Sequence, residues 1–414
     1  MKLAFVVQRY GPEIAGGSEA HCRALALRLS GSVAGLNGPE GTHDVTVLTT
    51  CAPDYVTWRN AYAPGESRDG RVRVIRFPVA HPRRLKRFAD VSDEVFDGHA
   101  PASRQDDWFR ENGPDAPLLL EHLTAHGQAY DLVLFWTFRY ATSYFGLPRV
   151  ADRSILLPTA EDDAAIRLDV LAGFFRRPAG FLFLTPEEEA LVRARAGRLP
   201  QPAATIGTGL DPAAPPRRDL LRGQGIEGDY VLYLGRIDRN KGGHTLFEYF
   251  QEYAVRPDAL PLVLAGPSTL PIPPHPKIRA LGYVSDELRE SLLAHARVLI
   301  VPSRYESLSI VLLEAWNHGV PALVNAGCSV LAGQVGRADG GLWYRSSAEF
   351  QEALDRLVAD DAARARFGQQ GLAYVEREYR WPTVLARVTS LLRAVAAGRA
   401  PSTVTLPVES RSGG

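Results

Sequence analysis

Short apolar runs separated by helix-length stretches recur along nearly the whole chain, and they fall into two sets. Runs at residues 3–7, 45–49, 72–78, 132–136, 155–158 and 181–184 make the first; runs at 230–235, 262–266, 280–284, 298–301, 322–324 and 342–344 make the second. A strand that is apolar all along must be covered on both faces, so such runs alternating with helices predict parallel sheets sandwiched between helices. Pro212, Pro215 and Pro216, followed by Gly223 and Gly225, interrupt the pattern between the sets and mark a linker. With 414 residues the chain can bury two such cores. The expectation is an α/β protein of two doubly wound domains, 1–211 and 212–380, followed by an amphipathic helix at 381–397 and a polar, disordered tail at 398–414. Residues 81–112 break the alternation with charged and aromatic side chains, an irregular or helical excursion from the first domain.

Charge narrows the partners. Forty-seven basic and 47 acidic residues cancel, so no global field advertises a nucleic acid. Cys22, Cys51 and Cys328 are widely spaced, without metal-binding spacing, which points to a reducing, cytoplasmic compartment. Residues 3–7 are too brief for a signal peptide, and no run approaches a membrane span.

The segment from Pro302 to Pro321 carries the sharpest chemistry. Residues 298–301 read as a buried strand, Ser307 or Ser309 as an N-cap, residues 310–317 as a helix, and Gly319 with Pro321 as its stop. A helix mouth at a strand end offers unpaired N–H groups and positive dipole, which suits a diphosphate. Glu306 precedes that helix and Glu314 lies inside it, roughly 10 Å apart at about 1.5 Å per residue, a span that matches a sugar nucleotide. The competing readings are a capping box, Ser303-x-x-Glu306, and a solvated Glu314. Upstream, the loop from Gly235 to Gly243 places Arg236 and Lys241 at the end of the second set's first strand, the edge where ligands bind in open α/β sheets. Lysine occurs only at positions 2, 86, 241 and 277 in this arginine-rich chain, and a compact ammonium in a glycine loop suits a phosphate oxygen. Asp238 reads as a brace of that turn. In the first half, the turn from Gly11 to Ser18, with Gly16 and Gly17, opens the helix at 19–29 and lets backbone approach a ligand.

Taken together, G-R-I-D-R-N-K-G from Gly235, A-G-P from Ala265, G-Y-V from Gly282, and P-S-R-Y-E ending at Glu306 with Glu314 beyond resemble the retaining family 4 glycosyltransferases. The order and spacing match across residues 1–396. The resemblance implies the GT-B fold, two Rossmann-like domains facing a cleft, with a nucleoside diphosphate sugar held on the C-terminal domain and a hydroxyl acceptor on the N-terminal one. It implies that Arg236 and Lys241 neutralise the donor diphosphate, Glu306 binds the sugar and Glu314 the ribose. Backbone at Leu308, Ser309 and Ile310 would meet the phosphates, Gly235 would belong to the donor site, Gly16 and Gly17 would approach from the opposite domain, and residues 381–397 would cross back to it. No metal and no cofactor is implied.

One position departs from the pattern. Where relatives carry a histidine beside the transferred sugar, this chain has Glu161, an acceptor only when ionised. Either Glu161 reads a different donor group or catalytic power is lost; the intact phosphate side favours altered recognition. Loss of power would leave a noncatalytic GT-B binding partner of another transferase, and a phosphorylase or epimerase with the same architecture is a third reading. A metal on Glu161, Asp162 and Asp163 is disfavoured because successive carboxylates diverge, and Asp162 reads as the cap of a helix at 164–175. Arg83, Arg84, Lys86 and Arg87 could meet an acidic acceptor or an anionic membrane surface, but solvated charge is the preferred reading. His122 and His126 lack the glutamate of H-E-x-x-H and read as an exposed helix face, His244 and His318 read as structural or exposed, and no G-x-S-x-G elbow appears.

Overall fold

The computed structural model describes residues 1–14, 16–33, 42–197, 199 and 201–398. The tail expected to be disordered lies outside them apart from Gly398. Fourteen strands among the described residues build two sheets. The first contains β1 (Lys2–Val6), β2 (Asp44–Thr50), β3 (Gly65–Asp69), β4 (Val72–Phe77), β5 (Leu132–Trp136), β6 (Ser154–Leu157), β7 (Gly180–Phe183) and β8 (Ala203–Thr205), in the order β3-β4-β2-β1-β5-β6-β7-β8. The second contains β9 (Val231–Leu234), β10 (Leu262–Ala265), β11 (Ile278–Gly282), β12 (Val298–Val301), β13 (Ala322–Asn325) and β14 (Gly341–Tyr344), in the order β11-β10-β9-β12-β13-β14. Every pairing is parallel except β3 with β4. Strand order reverses between β1 and β5 in one sheet and between β9 and β12 in the other. The crevice outside the strand ends at such a reversal is where this architecture takes ligands.

Interior strands β5, β6, β7, β10 and β12 are buried along their whole length, which their unbroken aliphatic and aromatic runs required. The two strands absent from the apolar pattern are edges. β3 is polar and mostly exposed, and β8 is half-buried, so neither had a two-sided apolar surface to display. The excursion at 81–112 is helical, Leu85–Phe96 and Ala102–Asn112, with Trp108 and Phe109 closing it onto the first domain's core.

The segment after Glu161 corrects two expectations. Instead of one helix over 164–175 there is a single tight turn, Ala165–Arg167, and a short helix, Val170–Phe174. Asp162 caps neither, since its carboxylate pairs with exposed Arg167 at 2.7 Å; the cap is Asp163, whose Oδ1 accepts from the Ala165 and Ile166 amides. The helix Trp381–Ala397 buries Trp381, Val384, Leu385, Val388, Leu391, Leu392 and Val395, a stripe at helical spacing. It packs against β7 and β8, so the last helix of the chain covers the first sheet. Arg28 of the first sheet's leading helix lies 3.8 Å over the Trp381 ring, a cation–π contact that fixes this return. Among the described residues no helix is long and apolar enough to cross a membrane.

Candidate functional site

Both sheets turn their C-terminal strand ends toward one cleft, and the loops there touch across it. The Arg236 guanidinium, after β9, donates to the Tyr55 hydroxyl at 2.7 Å, and Thr185 Oγ1, after β7, donates to the Ser307 carbonyl at 3.1 Å. A Cβ on Gly17 would sit 3.4 Å from the Ile310 side chain, so the first residues of the helices Gly17–Leu29 and Ile310–Asn317 confront each other. Two helix N-termini aimed at one space make a positive focus there. Gly16 is extended and half-buried, and any Cβ on it would meet the Glu19 carboxylate at 2.3 Å.

The loop after β9 is held from within. Asp238 Oδ1 accepts the Lys241 amide at 2.8 Å, and its other oxygen takes Arg236 Nε. Gly242 has φ 75°, and a Cβ there would lie 2.1 Å from the Pro302 carbonyl, so only glycine lets this loop press against the end of β12. That approach brings Lys241 Nζ to Glu306 Oε1 at 2.8 Å. The ammonium is 31% exposed and the carboxylate 10%, so the pair opens to the cleft on its cationic side. Burial opposes the Lys241 charge, yet Glu306 and Glu161 outweigh it and hold the ammonium above its ordinary pKa. Arg236, 42% exposed, stands beside it.

Ser309 caps Ile310–Asn317 by backbone position alone: its Oγ is buried and has no hydrogen-bond partner. Its amide donates to buried Gln334 Oε1 at 3.1 Å, which corrects the expectation that this N–H is free for a phosphate. Leu308 is buried and Ile310 half-buried beside it. In the first turn of the helix Gly243–Tyr253, just after the Lys241 loop, His244 Nδ1 is also buried without a partner. Two orphaned polar atoms at the helix starts that follow Lys241 and Glu306 are groups that a bound polar ligand would satisfy.

Neither competing reading of the two acids survives. Glu306 pairs with Lys241 rather than closing a capping box, and Glu314 is not solvated: its carboxyl, 16% exposed, pairs with Arg289. Arg289 also holds Glu290 at 2.9 Å, and Glu290 accepts from His318 at 2.8 Å. Burial pushes the Glu314 carboxyl above the usual carboxylate range, with Arg289 pulling it back.

Glu161 lies on the opposite wall, after β6. Arg139 Nη2 is 3.7 Å from it and Arg139 Nη1 is 2.8 Å from Asp163, so two of the three successive acids share one arginine and Asp162 turns away. Burial raises the Glu161 pKa, and it feels the charges of Arg139, Lys241 and Glu306, which joins it electrostatically to the C-terminal wall. The turns that present Arg139 and Glu161 are strained: Thr137 and Thr159 have φ of 56° and 47°. Left-handed threonines cost about 1–3 kcal/mol each and persist only where surrounding contacts over-determine them. At Thr159 the contact is visible next door, where the Ala160 amide donates to Glu188 Oε1 at 2.7 Å.

Glu188, Tyr55, Arg289 and Gln334 had no assigned role in the sequence reading. Glu188 had a signal, because Thr185-x-x-Glu188 has capping-box spacing: Thr185 Oγ1 accepts the Glu188 amide at 3.1 Å. The carboxylate also takes the Leu184 amide at 2.6 Å, and it is 1% exposed; burial pushes its pKa up to about 8 against those backbone donors.

In the charged run at 83–87, Arg84, Lys86 and Arg87 are exposed as expected, and one residue departs from the expectation. Arg83 is not solvated, since it donates to the Asn112 side chain at 2.8 Å and to the Tyr55 carbonyl at 2.8 Å, and lies over Trp58 and Phe88. His122 is half-buried rather than exposed, 3.3 Å from the Tyr130 hydroxyl, with exposed His126 against its ring.

Comparison with known proteins agrees with this geometry. Residues 222–373 match the family described as glycosyl transferases group 1. An uncharacterized glycosyltransferase of Methanocaldococcus jannaschii is 23% identical over 95% of this chain and 98% of its own length. A phosphatidyl-myo-inositol mannosyltransferase of Mycolicibacterium smegmatis is 25% identical over 94% of this chain and 92% of its own. Among solved structures, Anabaena HepE in complex with UDP and glucose superposes with a TM-score of 0.68 over 95% of this chain and all of that one, at 14% identity, a likeness of fold.

Proposed function

We propose a substrate and a stereochemical course for this chain, which belongs to the group 1 glycosyltransferases of GT-B fold and is a glycosyltransferase acting with a nucleotide sugar. The reaction moves a glycosyl group from a nucleoside diphosphate sugar to an acceptor hydroxyl with retention of anomeric configuration and without a metal, in the cytoplasm. The observation that carries this reading is the half-open Lys241–Glu306 pair at the end of β9 and β12, beneath two confronted helix N-termini.

The chemistry follows from where charge develops. As the glycosidic bond stretches, negative charge grows on the departing diphosphate. Lys241, Arg236 and the helix mouth at Ile310 are fixed in advance to receive it, so little reorganisation is needed in the transition state. Lys241 is held by Glu306 until the phosphate arrives; Glu306 then turns its acceptor oxygens to sugar hydroxyls. Glu314, braced by Arg289, takes the ribose hydroxyls. These cations do the work that a metal ion would do at the diphosphate. Gly16 and Gly17 close on the donor from the N-terminal domain, and closure expels water that would hydrolyse it.

Glu161 reads the transferred sugar. Its carboxyl sits 32% exposed at the cleft, supported by Arg139, and lies within the field of Lys241 and Glu306. An ionised carboxylate accepts hydrogen bonds only, so it favours a donor sugar that presents an amine or a hydroxyl at that place. Substitution Glu161→His is expected to raise turnover of ordinary hexose donors and lower that of the native one; unchanged donor choice counts against this role.

The test is a binding screen of UDP-, GDP-, ADP- and TDP-sugars followed by product analysis. One donor should bind, and Lys241→Ala and Glu314→Ala should each weaken it. An inverted product would end the retaining assignment. Unaltered binding in both variants would end the site assignment.

A further inference from the structure

The first domain holds a second feature at the same sheet edge that the donor reading leaves unused. A cavity of about 510 Å³ opens between the loop containing Trp58, the helical excursion and the start of the helix Ala141–Tyr144. Five arginines line it, Arg83, Arg84, Arg87, Arg110 and Arg149, against three acids, Asp107, Glu111 and Asp115. The distribution matters more than the count. Arg84 and Arg87 both rest on one carboxylate, Glu111, at 2.5 and 2.7 Å. Glu111 is 9% exposed while the two guanidiniums are 62% and 53% exposed, so one buried negative charge holds up two outward positive ones. Arg110, 60% exposed, lies over the Phe145 ring and 3.8 Å from Asp107, which Arg104 also uses. Arg83 is a strut, spent on Asn112 and Tyr55.

An independent observation points into the same space. Thr142 lines the cavity, is 2% exposed, and its Oγ1 has no hydrogen-bond partner. A buried hydroxyl left unpaired is costly, and a ligand oxygen reaching this wall of the cavity would satisfy it. The cavity is also tied to the reacting side of the cleft. Tyr140 packs edge-on against Trp58 with centroids 5.3 Å apart, and Asn112 Nδ2 donates to the Arg139 carbonyl at 2.8 Å; Arg139 is the residue that supports Glu161.

We infer that this cavity receives the anionic end of the acceptor, a phosphate-bearing compound whose free hydroxyl reaches the cleft. Paired guanidinium forks match phosphate oxygens bidentately, Thr142 adds a hydroxyl donor, and the volume suits a phosphorylated monosaccharide or a phospholipid headgroup. This rests on reading the N-terminal domain as the acceptor side, and the experiment keeps the two claims apart.

Full-length protein is titrated calorimetrically with glucose 6-phosphate and glucose, and by co-sedimentation with phosphatidylinositol–phosphatidylcholine vesicles and pure phosphatidylcholine vesicles. At least one phosphorylated probe should bind ten-fold or more tightly than its uncharged control. In Arg84→Gln/Arg87→Gln, and separately in Thr142→Val, that preference should shrink to two-fold or less, with nucleotide affinity unchanged. Selective binding of glucose 6-phosphate assigns a soluble acceptor and selective binding of phosphatidylinositol vesicles a lipid headgroup. Absence of any preference in the wild type, or a preference that survives the arginine substitutions, overturns the proposal. Lys241→Ala, which tests the donor site, should weaken nucleotide binding while leaving the phosphate preference intact.

Discussion

After β1 and after β9 the chain makes corresponding turns, and each carries a cation paired with a glutamate: the first from the helix that follows, the second from the loop after β12. In the first, Arg9 and Gln8 converge on Glu19, and both members of the Arg9–Glu19 pair are closed off, 7% and 6% exposed. In the second, Lys241 meets Glu306 at 31% and 10% exposure. The first pair has no free face and serves as a strut beneath Gly16. The second leaves the ammonium accessible, so an incoming anion can take it over. Equivalent places in two similar sheets thus hold one closed pair and one half-open pair, and solvent access to the cation makes the difference.

Breaking the closed pair should have the largest effect. Glu19→Ala strands Arg9 in a dry site, and stability should fall by about 3–5 kcal/mol in urea unfolding. Lys241→Ala should leave the unfolding midpoint close to wild type and lower kcat/KM for the donor by about 10²–10³, the usual worth of a preorganised charge at a departing oxyanion. If the two variants exchange these phenotypes, the contrast between strut and capture site is wrong. Glu314→Ala should weaken nucleotide binding about ten-fold, or about 1.4 kcal/mol, by equilibrium titration.

Glu188 sharpens the comparison through pH. Its folded-state pKa, about 8, stands above the ordinary 4.5, so the folded chain holds this proton more tightly than the unfolded one. The stability it contributes is fully present below about pH 4.5 and is lost as pH rises through about 8. Thermal unfolding of Glu188→Gln between pH 5 and 9 should be flatter than wild type; parallel curves would refute this. The smallest effect belongs to Tyr55→Phe, which removes the hydroxyl bridging to Arg236 and should change donor KM about two-fold.

Much of this was legible in the chain. The apolar runs fixed the interior strands because a strand covered on both faces has nowhere to hide a polar residue, and β5 and β12 fall on the runs at 132–136 and 298–301. The glycine loop at Gly235, the lysine within it and the Glu306–Glu314 spacing identified one wall of the cleft, since loop geometry and helix rise are local properties. Edge strands β3 and β8 escaped because half-solvated strands carry no distinctive pattern. The cap after Glu161 was misassigned by one residue because Asp162 and Asp163 are chemically identical, and only the turn decides which faces the helix.

What the chain by itself determined is the pair of sheets, their interior strands and the chemistry of the loop ends, all set by periodicity and local backbone geometry. What only the tertiary structure decided is who pairs with whom: Lys241 with Glu306, Glu314 with Arg289, Ser309 with Gln334, and Arg84 with Arg87 on one buried glutamate. Those pairings depend on distances between segments far apart in sequence and on how much water each retains. Burial, which sets whether a charge is a strut or a ligand's handle, exists only once the elements have packed.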